Sequence, residues 1–298
     1  DRTDLSVTCP LRSRPVRGVR AYVRSRLAPV IDQRLRWDLG AASRITPLDP
    51  ASDVLVTPSP EPLDVDHPLA FPLPPPDLRA GIPDYLELAE GHVEAVRDSA
   101  RRAGASSLGR VLDFGCGTGR MTRWLLPEAR QEEVWGVDFD ARCVQWAQTH
   151  LTPPFHFLVC SSLPSLPFED GYFDLVVGGS VFTHISEMAD GWLLELRRVT
   201  RPGGLLYLTI QDANFIEVVQ RDNPELWISR LIDEHRGELD RLGRGADVVS
   251  VGRRGNDAMV FHDRDALVRR WSAHLDLVEV VEGAYFAQTA LVLRKRSA

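Results

Sequence analysis

The stretch Val111-Leu112-Asp113-Phe114-Gly115-Cys116-Gly117-Thr118-Gly119-Arg120 constrains this chain more than any other. A short apolar run reads as a buried strand. Three glycines at alternate positions then make a turn whose bare backbone lets a ligand approach, and the helix that follows offers its positive end. The next apolar run, residues 133–137, ends at Asp138, about 20 residues past the loop, where a carboxylate can accept both hydroxyls of a ribose. The combination implies a nucleoside-type ligand. A nicotinamide or flavin dinucleotide needs a further glycine where this chain has Arg120, whose side chain would obstruct close helix–strand packing. Asp113, two residues before the first glycine, suits a ligand that carries a cationic centre in place of a pyrophosphate.

Around the loop, strands and helices alternate. Residues 85–96 have helical spacing, with Asp84 as the expected cap. Strands follow at 110–114, 133–137, 155–160, 173–178 and 205–211. Helices are expected at 119–126, stopped at Pro127, at 141–150 and at 187–200. Continuous apolar strands in this rhythm imply a parallel sheet covered on both faces, with the ligand-facing loops at the carboxyl ends of the strands. Residues 212–262 interrupt the rhythm as a polar, helix-like insertion, after which 275–281 and 289–293 read as two closing strands. The fold class is therefore α/β, a doubly wound, mostly parallel seven-stranded sheet. Residues 1–44 form an Arg-rich extension with helical spacing over 12–39, broken near Pro29. Residues 45–80 hold ten of the 21 prolines and read as an extended linker. The main domain then runs over 81–298.

The 298 residues, 44% hydrophobic and 26% charged, suffice for a substantial core. The net charge of −7 is uneven: residues 1–40 carry nine Arg against four Asp, so the body is more acidic than the total suggests. An acidic body disfavours nucleic acid, because phosphate binding needs a basic face. The Arg-rich start reads as a solvated face, or as a contact to anions or to a second copy in a homo-oligomer. Cys9, Cys116, Cys143 and Cys160 are too scattered for a zinc site or a disulfide framework, and no metal is expected. No run of about 18 apolar residues is present and no signal-peptide pattern opens the chain, so a cytoplasmic location is expected.

Three further stretches join the loop: Leu166-Pro167-Phe168-Glu169-Asp170-Gly171-Tyr172-Phe173-Asp174-Leu175-Val176, Ser180-Val181-Phe182-Thr183-His184-Ile185, and Leu196-Arg197-Arg198-Val199-Thr200-Arg201-Pro202-Gly203-Gly204. With them the chain resembles, from about Tyr85 to Lys295, the class I S-adenosylmethionine-dependent methyltransferase superfamily. The resemblance implies a Rossmann-like methyltransferase fold and S-adenosylmethionine as cofactor. It places Asp113, Gly115, Cys116, Gly117, Gly119, Asp138 and Phe139 at that cofactor, and Tyr85 and Gly179 near its methionine end. Relatives often carry Asp at the adenine, where this chain has Ser161, Ser162 and Leu163, so hydroxyls or carbonyls of Ser162 and its neighbours would meet the amino group while Leu163 packs on the ring. The Arg201–Gly204 segment is a structural turn by the same resemblance.

His184, just beyond the fourth strand, is the expected general base, since an ordinary pKa of about 6.5 suits removal of a hydroxyl proton. Glu187, Asp212 and His262 are secondary candidates, and Asp212 or His262 would be the ligands if a metal assisted. The Ser180–Ile185 stretch and the closing strand at 288–295 are similar to bacterial methyltransferases of glycan and secondary-metabolite assembly. This implies O-methylation of a sugar hydroxyl or other small molecule. The 212–262 insertion, with Phe215, Trp227, His235 and an Arg-rich turn over 244–254, is the expected acceptor lid. Two rival functions stand beside this one. A nucleic-acid methyltransferase is disfavoured by Gly179-Ser180-Val181-Phe182 where amino-methylating types carry a Pro-Pro run. A non-catalytic cofactor-binding scaffold is disfavoured by the complete loop, Asp138 and His184.

Overall fold

The computed structural model describes residues 46–47, 55–56, 65–79, 82, 85–252 and 258–297. It divides into two compact units, Asp1–Thr57 and Pro58–Ala298. In the first, Thr46–Pro47 pairs antiparallel with Leu55–Val56. The helical reading of the Arg-rich extension and the Asp84 cap lie outside the described residues.

The second unit is built on strands β1 (Val111–Phe114), β2 (Val134–Asp138), β3 (His156–Val159), β4 (Phe173–Gly178), β5 (Thr200–Ile210), β6 (Val248–Val251), β7 (Met259–His262), β8 (Asp276–Tyr285) and β9 (Gln288–Arg294). Seven form one sheet in the order β8-β9-β5-β4-β1-β2-β3. The β3-β2-β1-β4-β5 part is parallel, and β9 runs antiparallel to both its neighbours. Because the chain leaves β1 towards β2 and β3 and later returns to β4 and β5 on the other side, the sheet reverses direction between β1 and β4. A crevice opens at such a switch point outside the carboxyl ends.

Alternate residues of each strand enter different cores. Val111, Leu175, Val177, Leu205 and Tyr207 join the cluster under α1 (Glu87–Arg102) and α3 (Ala141–Leu151). Leu112, Val176, Leu206 and Leu208 join the opposite cluster, under α4 (Ala189–Val199) and α8 (Arg264–Trp271). With both faces covered, the strands have no polar alternation to show, which is why they read as apolar runs. Helix α1 buries Ala89, His92, Val93, Val96 and Ala100 at spacings of three and four, with acids in its first turn and Arg101 and Arg102 in its last. Asp140 caps α3, accepting from the Arg142 N–H, and Asp263 caps α8 through the Ala266 N–H.

Local structure departs from the sequence reading at four places. After the glycine loop the chain makes a 3-10 turn, Thr122–Leu125, and then the short helix α2 (Leu126–Ala129). Pro127 lies in the first turn of α2, where its missing N–H is harmless, and does not stop a helix. Arg201–Gly204 is not a free turn but a bulge within β5: Phe173 pairs with Thr200 and Leu175 already with Leu205. The 212–262 segment holds α5 (Ala213–Asp222), α6 (Trp227–Glu234) and α7 (Arg236–Leu239), and also the β6–β7 hairpin, around a small apolar core of its own. Helix α8 was missed because its apolar face is short between charged residues.

Proline-rich residues 65–79 lie against the second unit's core. Phe71 is buried against Phe155, and Arg123 Nη2 donates to the Pro72 carbonyl at 2.8 Å. Among the described residues no helix is long and apolar enough to cross a membrane. Trp271 ties α8 to the sheet. It is wholly buried, edge-on to Phe182, and its Nε1–H donates to Asp190 at 3.0 Å. Trp271→Ala is expected to cost about 3–5 kcal/mol, read as a lowered urea midpoint at unchanged slope; a loss below about 1 kcal/mol would show that α8 does not anchor this face.

Candidate active site at the sheet switch point

The loop after β1 is fastened to β2. The Gly115 and Cys116 N–H groups both donate to the Val137 carbonyl, at 2.8 and 3.1 Å, and the Gly117 N–H donates to Asp138 Oδ2 at 2.8 Å. Asp138 Oδ1 accepts from the Asp140 N–H at 2.8 Å. Burial raises the Asp138 pKa, and these N–H bonds pull against that rise. Each oxygen keeps a lone pair for a ligand hydroxyl. Gly115 has φ +80°, and a Cβ there would lie 2.3 Å from Val181, so the turn after β4 is pressed against the loop. Gly117, at φ +53°, faces open space.

Beneath the loop, Asp113 is buried and accepts from Thr122 Oγ1 at 2.6 Å. Burial pushes its carboxyl up to about 6 against the Thr122 bond and the Arg120 charge. The Cys116 side chain lies under the loop against Gly136 of β2, leaving its backbone to the crevice, and burial drives its thiol well above the ordinary value. Tyr85 donates to or accepts from Thr118 Oγ1, and burial moves its hydroxyl up to about 12.

Sequence reasoning treated Arg120 as an obstruction and passed over Arg123. The structure buries both guanidinium groups: Arg120 is 5% exposed and Arg123 0%. Arg120 Nη2 donates to Tyr285 Oη and lies 3.2 Å from His92 Nδ1, with the Tyr285 and Phe286 rings at 5.2 and 5.5 Å. Arg120 Nη1 and Arg123 Nε and Nη1 have no partner among the described residues, and no carboxylate there forms an ion pair with either. Both charges act on Tyr85 at the loop. Buried guanidinium N–H groups without a hydrogen-bond partner favour a ligand that brings an anion, as the carboxylate end of an amino acid does.

At the far side of the crevice the turn after β4 begins with Gly179, where a Cβ would lie 2.7 Å from the Tyr285 ring, and continues through Ser180 at φ +60°. Ser180 is held in this left-handed conformation by a buried ring. Its N–H donates to Thr209 Oγ1 at 2.7 Å, Thr209 donates to Gln288 Oε1 at 2.7 Å, and Gln288 Nε2 donates to Ser180 Oγ at 2.9 Å. No single motif signals this ring, because its members come from three distant segments. His184 is exposed on the same turn, with Nδ1 2.9 Å from the Ala258 carbonyl. A carbonyl only accepts, so Nδ1 carries the proton and Nε2 of the neutral ring is a proton acceptor.

The secondary candidates fall elsewhere. Asp212 is buried as the cap of α5, accepting from the Phe215 N–H at 3.0 Å. His262 is buried in β7 and donates from Nε2 to the Phe182 carbonyl at 3.0 Å, and burial lowers its pKa. Glu187 is exposed on the turn before α4. Among the described residues no group of three or more His, Cys, Asp or Glu side chains is placed to hold a metal ion. On the β2–β3 side Phe139 (49%) and Leu163 (64%) are exposed apolar side chains beside the crevice. Ser162 is exposed between them and the Ser161 turn, where Oγ accepts from the Leu163 N–H at 3.1 Å.

A methyltransferase domain family matches residues 112–208. Trans-aconitate 2-methyltransferase of Azoarcus sp. is 30% identical over 150 residues, 49% of this chain and 57% of that protein. Malonyl-[acyl-carrier protein] O-methyltransferase of Halorhodospira halophila is 38% identical over 98 residues, 32% of each. The chain thus spans between a third and somewhat over half the length of these relatives. A crystal structure of an S-adenosylmethionine-dependent methyltransferase from Clostridium acetobutylicum shares the fold at a TM-score of 0.51 and 14% identity, covering 74% of this chain and 96% of the other.

The domain belongs to the class I S-adenosylmethionine-dependent methyltransferases. The residues present fit that cofactor: an open glycine cradle, a carboxylate with spare lone pairs, exposed apolar side chains for an adenine and unpaired guanidinium groups for a carboxylate. Asp138→Asn, which keeps the side chain's shape, is expected to weaken S-adenosylhomocysteine binding about 10- to 100-fold in calorimetry; an unchanged affinity would remove Asp138 from the ribose.

Protonation of the methyltransferase domain's buried groups makes a second prediction. Burial, aided by Arg120, lowers His92 to about 3, so it supplies stability present above its ordinary 6.5 and lost as pH falls towards 3. Asp113 has the opposite sign: raised to about 6, it supplies stability present below its ordinary 3.8 and lost as pH rises through 6. By pH 5 the His92 contribution has dropped by about 2 kcal/mol. His92→Gln is therefore expected to lose less stability than the wild type between pH 7 and pH 5 in urea titrations, and equal losses would show that His92 is solvated.

Proposed function

We propose that the chain is an O-methyltransferase that carries a methyl group from S-adenosylmethionine to a hydroxyl of a small-molecule acceptor, a sugar or related secondary metabolite. The observation that carries this reading is the His184 tautomer at the switch point. Its Nδ1–H is committed to the Ala258 carbonyl, which leaves Nε2 as a base on the turn pressed against the glycine loop. The name of the Halorhodospira relative includes O-methyl transfer, which supports oxygen as the atom methylated.

In this reading Asp138 accepts the ribose hydroxyls, Phe139 and Leu163 flank the adenine, and Arg120, Arg123 and Tyr85 meet the amino-acid end. The bound cofactor supplies an electrophilic methyl group on a sulfonium. The turn after β4 and the 212–262 lid orient the acceptor and keep water away, so most of the acceleration comes from holding acceptor oxygen and methyl in line. His184 Nε2 would accept the proton that the acceptor hydroxyl gives up when its oxygen is methylated. The imidazolium that results is open to solvent and can return its proton there.

Two measurements test this. With labelled S-adenosylmethionine and a panel of aryl glycosides, phenols and carboxylic acids, methyl transfer is expected to glycosides; transfer confined to acids would overturn the sugar assignment. His184→Ala is expected to lower kcat at least 100-fold while S-adenosylhomocysteine affinity stays within threefold, and unchanged turnover would exclude His184 as the base.

A further inference from the structure

Gln211 follows β5 directly at its carboxyl edge and is 2% exposed. Its Oε1 has no hydrogen-bond partner among the described residues. Its backbone is anchored: the carbonyl accepts from the His262 N–H at 2.8 Å, and a bridge joins Gln211 to Phe261. The backbone is thus fixed while the side-chain carbonyl oxygen is left unpaired. A buried acceptor without a donor destabilises the fold, and such a group persists where a ligand or water completes it.

Its position selects the ligand. Thr209 and Gln211, two residues apart on extended chain, face the same side of the sheet. The β5–β9 pairing sets Thr289 opposite Ile210, so the next step places Gln288 opposite Gln211. Gln211 therefore stands one pleat beyond the Ser180–Thr209–Gln288 ring, whose own amide atoms are all used. The glycine loop and Asp138 lie at the ends of β1 and β2, whereas Gln211 is at the end of β5, with β4 between it and β1. Residues 212–262 leave the sheet directly after it and return beside it at Phe261, and their core includes Phe215 and Phe261.

We infer that Gln211 is a specificity-determining residue whose Oε1 accepts a hydrogen bond from a hydroxyl of the acceptor, one other than the hydroxyl that is methylated. The inference rests on the methyl-transfer reading above. A neutral amide in a dry site discriminates strongly between an acceptor that offers a donor there and one that does not, because either the ligand donor pairs or the buried oxygen stays unpaired. Ser180, Thr209 and Gln288 on this side are neutral, while the charge of the next residue, Asp212, is met by Arg264 Nη1 at 3.4 Å.

The test is Gln211→Met, a near-isosteric change that removes the orphan oxygen. On the aryl glycosides that the wild type methylates, the variant is expected to raise KM about tenfold or more, with kcat within threefold, S-adenosylhomocysteine affinity unchanged and thermal stability equal or higher. The same KM increase should vanish for the deoxy analogue lacking the recognised hydroxyl. An unchanged KM would mean that water or nothing completes Oε1, and a parallel loss of S-adenosylhomocysteine affinity would move Gln211 to the cofactor; either result overturns the inference. The two readings fail separately. Transfer to phenols in place of glycosides would sink the sugar assignment and leave the KM comparison to be made on those phenols, while transfer only to acceptors with no second donor group would sink the role of Gln211.

Discussion

The hydrogen bond from the Gly117 N–H to the Asp138 carboxylate joins the glycine loop to the end of β2, and much of the candidate site's geometry depends on it. It spans 21 residues of sequence and, with the Gly115 and Cys116 N–H bonds to the Val137 carbonyl, couples the turn after β1 to the end of β2. With the Asp140 N–H on the other oxygen, the carboxylate is fixed from two sides before any ligand arrives. A preorganised anion of this kind need not be oriented on binding, and the entropy of ordering it is met during folding. The same bond explains why the loop can be thin. Gly117 opens onto space because its backbone is tethered from below, and Gly115 yields its side-chain volume to Val181.

Charge is distributed around this cradle in an uneven way. Asp113, Arg120, Arg123, Tyr85 and His92 are all buried, yet they form no ion pair among themselves. Instead each titratable member is displaced by burial: Asp113 and Tyr85 upward, His92 and Arg123 downward. Burial thus works against the charged form of each of the four, and a neutral His92 fits a place beside the Arg120 charge. Unpaired guanidinium N–H groups remain, and these are the groups an amino-acid carboxylate would satisfy. An arrangement that is costly without ligand and satisfied with it stores discrimination in the fold, at the expense of stability.

What was legible in the sequence follows from which interactions are local. The strand–glycine–helix turn, Asp138, and the alternation of apolar runs with helical spacing are all short-range signals, and each leads to the parallel sheet that the structure shows. Elements whose identity is decided by tertiary context were not legible. Pro127 reads as a stop, but as the second residue of α2 it costs nothing. Arg201–Gly204 reads as a turn, but the bulge lets it stay within β5. Arg120 shows the same limit at the site. As a sequence position it is a bulky residue where a glycine packs, while in the fold its side chain turns towards His92 and Tyr285, residues 28 and 165 positions away. Asp212 Oδ1 caps α5 and His262 Nε2 donates to the Phe182 carbonyl, structural roles that residue type alone does not reveal, while Asp212 Oδ2 and His262 Nδ1 have no hydrogen-bond partner among the described residues.

The turn after β4 brings these strands of argument together. Ser180 sits in a backbone region that a non-glycine residue enters at a cost, and two hydrogen bonds, to Thr209 of β5 and from Gln288 of β9, hold it there. Relaxing Ser180 to an extended conformation would re-aim the chain that follows it. Val181 would leave Gly115, and His184 would lose its alignment with the Ala258 carbonyl, which itself belongs to the return of the 212–262 segment. The conformation of Ser180 therefore links the glycine loop, His184 and the 212–262 segment through one turn. Thr209 and Gln288, two buried side chains on β5 and β9, thus bear on His184 through Ser180, beside its own bond to the Ala258 carbonyl.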